Sequence, residues 1–81
     1  MSAVGVIYKV YPKDGELEKA LDGIKKLGPK SVQTEEVAFG IKVIKAFFTF
    51  DDADAGSSAM EEKLKGTEGV NEVEVEQETL I

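Results

Sequence analysis

Val37-Ala38-Phe39-Gly40-Ile41-Lys42 joins two strand-like runs, and how it is read decides the fold. A glycine can turn or bulge where other residues strain, and an aromatic beside it can be left pointing outward. The run before it, Lys30 to Phe39, is polar from Gln33 to Glu36, which suits an edge strand guarded by charge. The run after it, Ile41 to Phe50, is the strongest strand signal in the chain. With Lys45 and Thr49 outward, Ile44, Ala46, Phe48 and Phe50 face the core. Val43 and Phe47 then fall on the open face, where one large aromatic is expected to be exposed.

Outward from this junction the chain repeats one pattern on each side. Val4 to Tyr11 alternates Val4, Val6, Tyr8 and Val10 against Gly5, Ile7, Lys9 and Tyr11, with Lys9 marking the wetter face. Pro12-Lys13-Asp14-Gly15 breaks this strand. Leu17, Ala20, Leu21, Ile24 and Leu27 follow at helical spacing over Glu16 to Leu27, with acids in the first turn, Lys25 and Lys26 in the last, and Gly28-Pro29 as a stop. After Phe50, the acidic loop Asp51-Asp52-Ala53-Asp54 and Gly56-Ser57-Ser58 lead into a second helix ending near Lys65. Ser57, or Ser58 paired with Glu61, is expected to cap it, and Ala59, Met60, Leu64 and the Lys63 stem to line its inner face. Gly66 and Gly69 stop it. Val70 to Glu78 then sets Val73, Val75 and Gln77 against Glu72, Glu74, Glu76 and Glu78, an acidic open face.

The order β-α-β-β-α-β, with short connections, predicts an α+β ferredoxin-like fold: a four-stranded antiparallel sheet with two helices on one face. Right-handed crossovers put the first and third strands in the middle and the fourth at an edge. At 81 residues the chain is expected to form one domain, 1–81, which buries only roughly 60% of the surface its unfolded chain exposes. The open-face glutamates beside Lys9 and Lys45 are expected to form cross-strand ion pairs.

Composition narrows the function classes. Ten basic residues against 16 acidic ones give a net charge of −6, which opposes phosphate backbones and anionic lipid and favours a protein partner. Cysteine and histidine are absent, removing the thiol nucleophile and the commonest general base, so no enzyme chemistry is expected. Neither a secretory signal pattern nor an apolar stretch of membrane-spanning length is visible, and a cytoplasmic location is expected.

Several residues invite sharper readings. Asp51-Asp52-Ala53-Asp54 offers carboxylates to a hard cation, but counted from Asp52 the glycine position of a calcium loop is Ser57 and the bidentate glutamate position is Lys63. No metal and no cofactor are expected. Of the aromatics on the central strands only Tyr11 and Phe47 fall on the open face, which glutamates line, so direct nucleic-acid binding is not expected. Phe39 is either an aromatic that closes the core at a hairpin or an exposed anchor that a partner covers, with Lys42 at its rim.

Several segments together resemble the guanine nucleotide exchange domain of archaeal elongation factor 1 beta. These are Lys9-Val10-Tyr11-Pro12, Val37-Ala38-Phe39-Gly40-Ile41-Lys42 with Val43-Ile44-Lys45, Met60-Glu61-Glu62-Lys63-Leu64, Gly69-Val70 and Val73-Glu74-Val75. The resemblance spans essentially the whole chain. It implies a factor that binds the GTPase elongation factor 1 alpha and promotes GDP release during protein synthesis. Such a factor must bind the nucleotide-free GTPase more tightly than the GDP form.

In eukaryotic relatives an aromatic matching Phe39 docks on the middle β-barrel domain of the GTPase, and a lysine near the carboxyl end disturbs the magnesium and phosphate site. The resemblance therefore implies a partner-binding set of Phe39, Gly40, Lys42, Leu80 and Ile81. This chain departs from the pattern, since Lys65 is its last basic residue. It also lacks the long N-terminal extension of the eukaryotic proteins, which implies a free-standing archaeal type, monomeric when free. The alternative is a small-molecule-binding regulatory domain of the same fold.

Overall fold

The computed structural model describes residues 3–51 and 53–80, with the side chains of 53–55 left aside. Along the chain run β1 (Val4–Pro12), α1 (Leu17–Lys26), β2 (Ser31–Ala38), β3 (Ile41–Phe50), α2 (Ala53–Lys65) and β4 (Val70–Leu80). The strands form one antiparallel sheet in the order β2-β3-β1-β4, so β1 and β3 are central and β2 and β4 are the edges. Both helices pack on one side, which is the ferredoxin-like arrangement the alternation patterns predict.

Between sheet and helices lie Val4, Val6, Tyr8 and Val10 of β1, Ile44, Ala46 and Phe48 of β3, Ala20 and Ile24 of α1, and Leu64 of α2. Leu17, Leu21 and Leu27 complete the α1 stripe. Gly28 ends that helix at φ +80°, in the left-handed conformation glycine adopts without strain. Tyr8 meets Phe48 edge-on at 5.8 Å, and Phe48 stacks on Phe50 at 6.4 Å. The Tyr8 hydroxyl, carried into this core, donates to the Ser57 carbonyl at 2.7 Å. Burial, with Glu61 and Glu78 nearby, pushes its pKa up to about 12.

Three expectations are corrected here. The second helix begins at Ala53, so Ser57 and Ser58 lie inside it and do not cap it. Its early start is held by the core: a Cβ on Gly56 would sit 2.7 Å from Phe50 Cδ1, so the helix backbone rests directly on that ring. The inner face accordingly runs Gly56, Met60, Leu64 at spacings of four, while Ala59 and Lys63 point to solvent.

The second correction concerns β4. Its register against β1 shifts between Ile7 and Tyr8: Tyr8 pairs with Val75 and Ile7 with Gln77, leaving Glu76 as the extra residue of a β-bulge. Past the bulge the alternation inverts. Gln77 joins the open face beside Ile7, and Glu78, opposite Val6, turns to the helix side near Tyr8. The strand also runs on to Leu80, which pairs with Val4.

Third, Phe47 is half-buried on the open face and Val43 there is fully buried. Val43 pairs in register with Glu35 on β2 and lies, one step past the Val10–Ile44 pair, opposite Tyr11 on β1, so it has long neighbours on both sides. Among the described residues, the fully exposed aromatic is Phe39.

Candidate functional site

Strand directions decide which loops meet. The β2–β3 turn, the β1–α1 loop and the start of β4 share one end of the sheet. Lys13 N–H donates to the Gly69 carbonyl at 2.8 Å, tying two of them together. Gly69 sits at φ +90°, and a Cβ there would come within 2.9 Å of the Ala20 amide nitrogen, so only glycine lets β4 start this close to α1.

The turn itself has two residues. Ala38 pairs with Ile41, and between them Phe39 and Gly40 both have positive φ, +30° and +82°. This is the mirror-image turn that matches strand twist in tight hairpins, where Asn-Gly or Asp-Gly is the favoured pair. Glycine is at ease in the second position. Phenylalanine in the first is under strain, at a cost of about 1–2 kcal/mol for a left-handed residue with a Cβ.

Two local features hold the turn. A register shift between Glu36 and Ala38 makes Val37 a bulged residue. The Gly40 N–H donates to Glu36 Oε2 at 2.9 Å.

The outcome is an apolar tip. Phe39 is exposed to 104% of its reference area, and Val37 and Ile41 beside it are about half exposed at 43% and 58%. Below the tip a cleft of about 180 Å³ separates the hairpin from the β1–α1 loop, lined by Pro12, Lys13, Leu17, Ile41 and Lys42. Lys13, Asp14 and Lys42 are exposed, so the apolar ridge is rimmed by charges of both signs. Such a surface can seat an aromatic in a partner's pocket while the rim charges orient the approach.

Of the sequence-derived set, Phe39, Gly40 and Lys42 come together at this tip. Leu80 does not: it lies beside Val4 at the other end of the sheet and is largely exposed. Along the nine residues of β1 the two ends are roughly 26 Å apart. Ile81 lies outside the described residues. Sequence reasoning passed over Val37, Ile41 and the Glu36 acceptor. The first two were inside the quoted junction. Glu36, four residues before the glycine, was visible only as edge-strand charge.

The open face is occupied by ion pairs. Lys45 Nζ lies 2.7 Å from Glu35 and 3.4 Å from Glu76, joining β3 to both edges. Its hydrogen bond holds the Glu35 carboxyl below the usual range, and Glu35 in turn raises Lys45. Lys9 lies over the Tyr11 ring at 5.7 Å, and the Tyr11 hydroxyl donates to Glu74 Oε2 at 3.4 Å. A second cleft, about 320 Å³, opens beside Phe47 between Ile7, Gln33 and Gln77. Among the described residues no cluster of carboxylates is gathered to hold a metal ion, and no helix is long and apolar enough to cross a membrane.

Comparison with known proteins bears on the same elements. Residues 5–81 match the family described as the EF-1 guanine nucleotide exchange domain. Elongation factor 1-beta of Ignicoccus hospitalis is 39% identical over 84 residues, covering 94% of this chain and 89% of its own length. That of Aeropyrum pernix is 38% identical over 94% and 93% of the two chains, and that of Methanoregula boonei 34% identical over 99% of each. A match that runs from β1 through β4, with relatives spanned almost end to end, makes this chain a member of the EF-1 guanine nucleotide exchange domain family, whose function is guanine nucleotide exchange in translation elongation.

Proposed function

We propose that the chain releases GDP from the GTPase elongation factor 1 alpha by engaging it with both ends of its sheet, with no bond made or broken by its own side chains. Phe39 seats on the middle β-barrel domain of the GTPase, with Gly40 giving the turn its shape and Lys42 at the rim. The end that carries Leu80 and Ile81 reaches toward the nucleotide site. Full exposure of Phe39 in a strained turn is the observation that carries this reading: the fold gains no burial from the ring, so the ring's free energy is available to a partner. The separation of the two ends, roughly 26 Å along β1, fits contacts with two separate domains.

Exchange then follows from linkage. If the factor grips the nucleotide-free GTPase more tightly than its GDP form, the same coupling free energy weakens GDP. β4 contains no lysine, so either the Leu80 end disturbs the magnesium and phosphate site by bulk and acidity, or another residue of the chain does so. The chain works in the cytoplasm and is a monomer when free of its partner.

Stopped-flow release of a fluorescent GDP analogue from archaeal elongation factor 1 alpha tests the proposal. Saturating factor is expected to accelerate release, and Phe39→Ala to raise the half-saturating concentration by about 30-fold, the equivalent of about 2 kcal/mol. Release that stays at the intrinsic rate with the intact chain defeats it.

A further inference from the structure

We propose that Glu36 is a positioning residue for Phe39: its carboxylate acts as the acceptor that keeps the two-residue turn in the conformation that presents the ring. This rests on the reading of Phe39 as the anchor and adds the device that aims it. In a two-residue hairpin the amide of the second turn residue points away from the ladder and has no backbone acceptor. Here that amide, Gly40 N–H, finds Glu36 Oε2 at 2.9 Å. The carboxylate reaches it because Val37 is bulged: Glu36 pairs with Lys42 and Ala38 with Ile41, so one residue is taken up between them and β2 bends just before the turn.

The need for such a support is local. Phe39 occupies a left-handed conformation at φ +30° that a bulky residue rarely adopts, and its side chain is fully exposed, so no packing holds it there. Without the acceptor the turn has other conformations open to it, and the ring samples directions that do not fit a pocket. Binding then bears the ordering cost that the free protein otherwise meets in advance. The bond is charge-assisted, which makes it stronger than a neutral one in the same exposed geometry.

The role is separable from a direct charge contact with the partner. Glu36→Gln keeps an acceptor oxygen at the same reach, whereas Glu36→Ala removes it. Both variants are exposed on an edge strand and are expected to melt with the parent chain. In the release assay with archaeal elongation factor 1 alpha, Glu36→Ala should raise the half-saturating concentration about 3- to 10-fold and leave the maximal rate unchanged, the effect of one such hydrogen bond. Glu36→Gln should stay within about 2-fold of the parent. By NMR on the free chain, Glu36→Ala should speed Gly40 amide exchange and shift the Phe39 backbone coupling away from a positive φ.

Loss in Glu36→Gln equal to that in Glu36→Ala, with Gly40 exchange unchanged, would assign Glu36 to a charge contact and overturn the proposal. So would an alanine variant that changes neither binding nor exchange. Phe39→Ala run in parallel separates the two levels. If it weakens binding while Glu36→Ala does not, positioning fails and the anchor stands. If Phe39→Ala leaves binding intact, the anchor fails and positioning falls with it, even if the Gly40 amide responds.

Discussion

The tip of the β2–β3 hairpin and the middle of its β3 strand treat an aromatic ring in opposite ways. Phe48 is 3% exposed, stacked on Phe50 and met edge-on by Tyr8, within a core built from both central strands and both helices. Phe39 touches none of this and stands fully in solvent on a backbone that a phenylalanine adopts only under strain. Hydrophobic burial at Phe48 is stabilisation already realised on folding. At Phe39 the ring gains no burial on folding, and the free domain bears a small backbone cost to hold it outside; on the proposed reading that surface is left for a partner.

The largest effect expected from breaking this contrast is on stability at the buried ring. Phe48→Ala should lower unfolding free energy by about 3–5 kcal/mol in chemical denaturation, from lost transfer and the cavity left behind. Binding should be lost only to the extent that the domain unfolds.

Phe39→Ala is the mirror experiment. Its stability cost should stay below about 1.5 kcal/mol, while affinity for the GTPase falls by about 2 kcal/mol or more. A melt and a titration on this one variant suffice, and a stability loss of Phe48 size would erase the distinction between the two rings.

A smaller effect sharpens the core side. Tyr8→Phe removes the hydrogen bond to the Ser57 carbonyl and should cost about 0.5–1.5 kcal/mol at neutral pH. It also carries a pH signature. The folded pKa, about 12, lies above the ordinary tyrosine value of 10.0, so the folded state holds a proton that the unfolded chain releases. This contribution is whole below pH 10 and is lost as pH rises toward 12, with a slope of at most about 1.4 kcal/mol per pH unit. Denaturation of parent and variant across that window should therefore converge as pH climbs.

Least is expected from the exposed ion pairs of the open face. Glu35→Gln should lower stability slightly above the carboxyl's depressed pKa, with the difference fading as pH falls through it. The difference should also vanish in 1 M salt, where the screening length is about 3 Å. A loss that persists in high salt would mean the Lys45 bridge does more than screened surface pairing.

Much of the architecture was legible before any coordinates. The inward-facing apolar positions of Val4 to Tyr11 and of Ile41 to Phe50, the 3.6-residue stripe of α1 and the breakers at Pro12-Lys13-Asp14-Gly15 and Gly28-Pro29 each carry a local signal. Such signals survive into the fold because burying one face requires them. The turn at Phe39-Gly40 was legible as well, since a glycine between two strand runs has few uses other than a turn.

Tertiary structure alone decided the rest, wherever a residue's role depended on what came to lie beside it. Phe39 beside a turn reads equally as a core staple or as an anchor, and only the path of the neighbouring elements left it uncovered. The start of α2 looked like Ser57 or Ser58 from capping chemistry, but the helix begins at Ala53, and its backbone meets the Phe50 ring at Gly56 and the Tyr8 hydroxyl at Ser57, already inside the helix. Glu78 and Gln77 exchanged faces because a bulge at Glu76 adds one residue to the count, and in a strand of period two one residue inverts everything beyond it. Sequence by itself determined the periodic elements, their order and the family. The tertiary structure decided register, bulges and exposure, because these are set by contacts between residues far apart in the chain.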